Sequence, residues 1–229
     1  MMNIKVCCVS VNIETAQTGL LRFRNYSDIV KQFIGIHPQF AISEDISKFS
    51  EILDSNISCI AGIGEIGLDP TYVAGDNDAW TRQNNVFSTM LQFAEKTGKP
   101  VSVHSRKALD DVMQTLSSYT LNGVLLHWFA GNKKQLNKAM DMGLYVSYGP
   151  TLVYSDDKKS LLRNTDRSRV LFETDGPVRY SKCFDNMPSS PTSFLASVVA
   201  SASSVLGISF DEMSETSYRN AETFLKGTT

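Results

Sequence analysis

Seven short apolar runs, near-continuous rather than alternating, punctuate this chain with gaps long enough for helices between most of them. They fall near residues 4–11, 32–36, 57–63, 101–104, 123–127, 144–148 and 169–172. Strands of this character belong to a parallel sheet, which is covered on both faces by the helices that return the chain. Helical spacing fills several gaps. Trp80, Phe87, Met90, Leu91 and Ala94 form one stripe, closed by Gly98 and Pro100. Ala108, Leu109, Val112, Met113 and Leu116 form a second, and Leu136, Ala139 and Met140 a third. Ser209 with Glu212 reads as a capping box opening a last helix over about 210–225. The expected fold is α/β, a TIM-type (β/α) barrel with seven recognisable strands, folded as a single domain over residues 1–229.

Four of these runs end in a residue able to hold a divalent metal. Residues 57–63 lead into Glu65, the fourth run ends on His104, and 123–126 lead into His127. Residues 170–172 reach Asp175 through Glu173 and Thr174. The carboxyl ends of parallel strands are where such barrels build sites, and two of the three histidines in the chain stand there. Taken singly, each has an ordinary account: a core imidazole, a solvated carboxylate, a turn cap. Together they form the carboxylate–imidazole set that suits zinc or manganese.

Neighbouring residues carry less. His37, in Gly35-Ile-His-Pro38, also ends a strand, but Pro38 redirects the chain, so the expectation is a structural or rim role. Arg106 either forks onto a phosphate or is an exposed arginine at a helix start. Trp128 either stacks on a base or packs beside the strand end. Gly62-Ile-Gly-Glu-Ile-Gly67 has the dinucleotide spacing, but Leu68, Asp69 and Pro70 follow where a helix would have to open.

Composition narrows the field. A net charge of −2 and a pI near 5.9 give no global attraction to nucleic acid or anionic membrane, so phosphate binding must be local. Cys7, Cys8, Cys59 and Cys183 make neither a zinc pattern nor a disulfide framework, and point to reduced thiols in the cytoplasm. The start is too short and too polar for a signal peptide or a membrane span. No P-loop, GxSxG elbow or HExxH is present, which argues against an NTPase, a serine hydrolase and a zincin.

Gly64-Glu-Ile-Gly-Leu-Asp69, Val103-His-Ser-Arg106, Leu126-His-Trp-Phe-Ala-Gly131 and Glu173-Thr-Asp-Gly-Pro177 together resemble the TatD family of metal-dependent deoxyribonucleases, of the amidohydrolase superfamily. Gly35-Ile-His-Pro38, the Gln83…Phe87…Leu91…Ala94 helix and Asn220-Ala221…Phe224 add to the likeness. It implies a hydrolase that cuts phosphodiester bonds in DNA, often from an end, using two divalent ions (Mg, Mn or Zn). It implies Glu65 as bridging carboxylate, His104 and His127 as ligands of one ion, and Asp175 as ligand of the other and acceptor of the water proton. Asp69 would hold the Glu65 loop in place. Trp128, Ala130 and Gly176 depart from the commoner serine-rich motifs and resemble the TatD-like component of Qat phage-defence systems, which implies partners from such a system.

The family opens with an Asp-x-His-x-His segment on its first strand, and this chain has none. Two readings stand: a start assigned too late, or a shortened relative that keeps one ion and weak activity. A hydrolase on a small ester, lactone or amide, and a catalytically silent binding subunit, are the alternatives to a nuclease.

Overall fold

The computed structural model describes residues 4–227; the start at Met1, on which the late-start reading turns, lies outside the described residues. The chain forms two compact units, divided after Leu125, with the C-terminal end from Leu225 belonging to the first.

In the first unit β1 (Val6–Val9), β2 (Val30–Ile34), β3 (Gly62–Gly67) and β4 (Val101–His104) pair in parallel in chain order. Val6 lies opposite Val30, Phe33 opposite Gly62, and Gly67 opposite His104. β5 (Val124–Leu126) follows β4, with Val101 N donating to Gly123 O at 2.8 Å. The returning helices are α1 (Ile13–Arg22), α2 (Ile46–Asn56), α3 (Asn77–Thr97) and α4 (Leu109–Leu116). α3 begins where the Asp76 carboxylate accepts from Asp78 N and Ala79 N, and ends at Gly98 in the left-handed conformation. Between those stops Gln83, Val86, Phe87, Met90, Leu91 and Ala94 are buried, so Phe87, Met90, Leu91 and Ala94 of the stripe seen in the sequence lie on the buried face, whereas Trp80 is only partly covered. Phe33, Phe49, Ile63, Ile66 and Val103 complete this core, each side chain contributing about 1.5–3 kcal/mol of burial.

The sequence reading misplaces β3. Residues 57–61 are the C-cap of α2 and the turn after it, and the strand is the glycine-rich segment Gly62–Gly67. These glycines serve close approach. A Cβ on Gly62 would fall 2.1 Å from the Phe33 ring, and one on Gly67 would fall 2.0 Å from His104 O.

The second unit holds α5 (Lys133–Asp141), β6 (Tyr145–Tyr148), α6 (Asp156–Arg163), β7 (Val170–Phe172), α7 (Leu195–Leu206) and most of α8 (Phe210–Lys226). β6 and β7 are parallel, with Ser147 opposite Leu171. Asn220 of α8 donates to Arg167 O and Val170 O at 2.7 and 2.8 Å, fastening the start of β7, and Phe224 packs edge-on against Tyr145. Ser209 Oγ accepts from Glu212 N, as expected at the start of α8. α1, α2, α6 and α7 carry no pattern singled out in the sequence.

Parallel strands alternating with helices make this a TIM-type α/β fold with seven strands among the described residues. All four cysteines are free thiols. Among the described residues no single helix is long and apolar enough to cross a membrane.

Candidate active site

The first unit gathers three ligand-type side chains. Glu65 lies within β3 rather than in a loop beyond it, only 8% exposed. Its Oε1 is 3.0 Å from Nδ1 of His104, the last residue of β4. His37, three residues past β2, places Nε2 3.3 Å from that same Nδ1 and 3.5 Å from Glu65 Oε1. One ligand atom from each of the three lies within 4.8 Å of the others.

Asp69 sets the chemistry of His104. Fully buried, it accepts from His104 Nε2 at 2.9 Å through Oδ2, and from Thr71 N and Thr71 Oγ1 at 2.9 and 2.6 Å through Oδ1. Burial pushes this carboxyl up, but the hydrogen bonds from Thr71 and His104 outweigh it and hold it below the ordinary value. An ionised Asp69 can only accept, so His104 Nε2 carries a proton, and Nδ1 is the nitrogen turned toward Glu65 and His37. That nitrogen faces a carboxylate oxygen 3.0 Å away. At this separation either a proton or a metal ion between the two atoms satisfies both. A carboxylate beside an imidazole whose far nitrogen is held by a buried carboxylate is a donor set that fits a divalent ion.

The second unit carries His127 and Asp175. His127 follows β5, and its Nδ1 stands 3.6 Å from Oε2 of Glu173. The same Oε2 accepts from Ser147 Oγ on β6 at 2.7 Å, and Ser147 Oγ accepts from Trp128 N at 3.0 Å. This chain of bonds holds Trp128 at a φ of +42°, a conformation that bulky residues seldom adopt. Glu173 Oε1 is buried and, among the described residues, has no hydrogen-bond partner. Asp175 is half-buried with a φ of +50°. Burial, and then the Asp175 and Glu173 carboxylates, push the nearby Tyr180 phenol far above its ordinary range. The Trp128 ring lies 5.7 Å from that of Tyr180, tilted by 40°. Lys158 reaches in to donate to Phe129 O.

Of the residues expected from the sequence, Glu65 and Asp69 thus both contact His104 in the first unit, one at each ring nitrogen, while His127, Trp128 and Asp175 belong to the second. Arg106 is exposed in the turn between β4 and α4. Asp69 bonds the His104 ring rather than the Glu65 segment. Sequence reasoning passed over three residues. His37 was set aside because of Pro38, although it too follows a strand. Glu173 was read as a spacer before Asp175, and Ser147 is a small polar residue in an otherwise apolar strand.

A family model for TatD-related DNases matches residues 3–226. The chain belongs to the TatD-related DNase family. It is 27% identical over 208 residues to human deoxyribonuclease TATDN3, covering 86% of this chain and 74% of that one. It is also 27% identical to the uncharacterized metal-dependent hydrolase YabD of Bacillus subtilis (85% and 77% covered). To the 3'-5' ssDNA/RNA exonuclease TatD of Pectobacterium carotovorum it is 26% identical (75% and 67% covered). The crystal structure of the TatD homologue YjjV from Escherichia coli superposes with a TM-score of 0.85 at 22% identity, over 98% of this chain and 87% of that one, so the fold is shared. At family level this TatD-related protein is a metal-dependent hydrolase of the kind that acts on phosphodiester bonds.

Proposed function

We propose that this TatD-related chain is a metal-dependent deoxyribonuclease in which Glu65, His104, His127 and Asp175 are metal ligands. The observation that carries the reading is His104 Nδ1 turned onto Glu65 Oε1 at 3.0 Å while the buried Asp69 holds the far nitrogen of the ring. Divalent ions (Mg, Mn or Zn; two in the family) neutralise phosphodiester charge and lower the pKa of a bound water toward ~7. The chain's residues do the rest. Asp69 keeps His104 in the ligating tautomer, and Glu173 faces the far nitrogen of His127 in the same way. Asp175 takes the proton of the attacking water. Arg106, exposed beside β4, contacts a phosphate, and Trp128 offers its face to a base. The Pectobacterium relative's name supports cutting from an end. Four free thiols are in keeping with a reducing cytoplasm, and a phage-defence setting rests on the likeness at Trp128, Ala130 and Gly176 alone.

The test is cleavage of end-labelled single-stranded and duplex DNA with Mg²⁺ or Mn²⁺. Chelation should abolish cleavage, and His104→Ala should lower it by roughly 100-fold or more. Cleavage indifferent to both would end the proposal. Turnover of small esters, lactones or amides without nucleic-acid cleavage would favour the hydrolase alternative. Absence of bound metal beside a stable partner complex would favour a binding subunit.

A further inference from the structure

We infer that His37 is a hydrogen-bond donor to an anionic phosphate oxygen, and not a third metal ligand, although it stands within ligating distance of Glu65 and His104. The inference rests on the metal-dependent reading of that site. It is carried by the other side of the His37 ring.

His37 is the N-cap of the short turn Pro38–Phe40. Pro38 has no N–H, so the first orphan donor of that turn is Gln39 N, and it donates to His37 Nδ1 at 3.1 Å. An Nδ1 that accepts carries no proton, and a neutral ring then holds its proton on Nε2. His104 is held by its other nitrogen: Nε2–H donates to Asp69, and Nδ1 stands 3.3 Å from His37 Nε2 and 3.0 Å from Glu65 Oε1. The two rings, 4.6 Å apart and crossed at 76°, thus turn opposite nitrogens to one point. A cation on His104 Nδ1 and Glu65 Oε1 would occupy both of those atoms and leave the His37 Nε2–H to another acceptor. The Nε2–H suits an oxygen anion beside that cation, which is what a phosphodiester brings.

Both orientations are fastened by one side chain. Gln83 of α3, 1% exposed, donates through Nε2 to Pro38 O and Asp69 O at 3.2 and 3.1 Å and accepts from Asp69 N at 2.8 Å. His37 N donates to Val11 O at 2.9 Å, and the Tyr72 ring closes edge-on from 5.7 Å. Neither ring is free to rotate into the other's role.

Three measurements decide it. In the metal-free protein, nitrogen NMR of the imidazoles should show His37 as the Nε2–H tautomer and His104 as a ring protonated on Nε2. Gln39→Pro, which removes the fixing N–H without touching the ring, should shift His37 toward a tautomer mixture. Equilibrium dialysis with Mn²⁺ or Zn²⁺ should give His37→Asn, which keeps a cap acceptor, a metal affinity within about twofold of wild type, whereas His104→Ala falls tenfold or more. Inorganic phosphate should bind the metal-loaded His37→Asn protein at least tenfold more weakly. Loss of metal from His37→Asn comparable to that from His104→Ala, loss of the Nε2 proton when metal is added, or unchanged phosphate affinity would each overturn the inference. A wild type that binds no metal would instead remove the functional reading, while the metal-free tautomer still reports on His37.

Discussion

The backbone amide of Trp128 is bonded to the hydroxyl of Ser147, 3.0 Å away, and that hydroxyl is itself a donor to Glu173. A tryptophan past β5, a buried serine of β6 and the acidic residue just after β7 therefore share one small network beside His127.

Ser147→Ala should leave Trp128 N–H and Glu173 Oε2 short of a partner without adding volume. Leaving buried polar groups unmatched costs about 1–3 kcal/mol. Urea unfolding of the variant should show a loss in that range with an unchanged slope. A loss below a few tenths would mean that water replaces the hydroxyl.

Glu173→Gln keeps the shape of the side chain and removes its charge from His127 Nδ1. Weakening the partner of a ligating imidazole typically lowers metal affinity 10–100-fold. Titration with a competing chelator should find that drop while the melting temperature moves by only a few degrees. Unaltered affinity would exclude Glu173 from positioning His127.

Tyr148 gives a pH signature. Its hydroxyl donates to Thr165 Oγ1, whose own proton goes to Leu161 O, and burial pushes the phenol up from 10.0 to about 12. Folding thus favours the protonated form. The resulting stability is fully present below pH 10 and is lost as pH rises from 10 to 12. Across that window Tyr148→Phe should fall in stability less steeply than wild type. Parallel profiles would show that Tyr148 ionises equally well folded and unfolded.

Gly67→Ala would drive a Cβ to 2.0 Å from His104 O at a φ of +143°. Backbone must shift, and the strain and overpacking together should exceed about 3 kcal/mol. Circular dichroism melting should show a severely destabilised or unfolded protein. A melting temperature within a few degrees of wild type would contradict the close approach of β3 and β4.

How much of this was legible before the coordinates follows from what each residue type advertises. The apolar runs before His104 and His127 end where strands end, so both histidines could be located by pattern alone. β3 was displaced because Gly62, Gly64 and Gly67 read as loop, and the neighbours that exclude a Cβ at Gly62 and Gly67, Phe33 and the His104 carbonyl, come from other strands. His37 was discounted since imidazole is not among the usual N-cap groups and its acceptor role depends on Gln39 being the first free amide after Pro38. α7 is built only of Leu, Val, Ala and Ser, with no charged residue to mark an outer face, which hides its period; the residues it buries are Val198, Val199, Ala202 and Ser203. The partnership of Ser147 with Glu173 joins positions 26 apart in sequence, and no local spacing announces it.

Gln83 gives the two imidazoles of the first unit a common anchor. Substitutions near either ring are therefore not independent events. A change that lets the Pro38 segment drift also loosens the support of Asp69, and drift in related sequences at one should be matched by compensation at the other or on the inner face of α3.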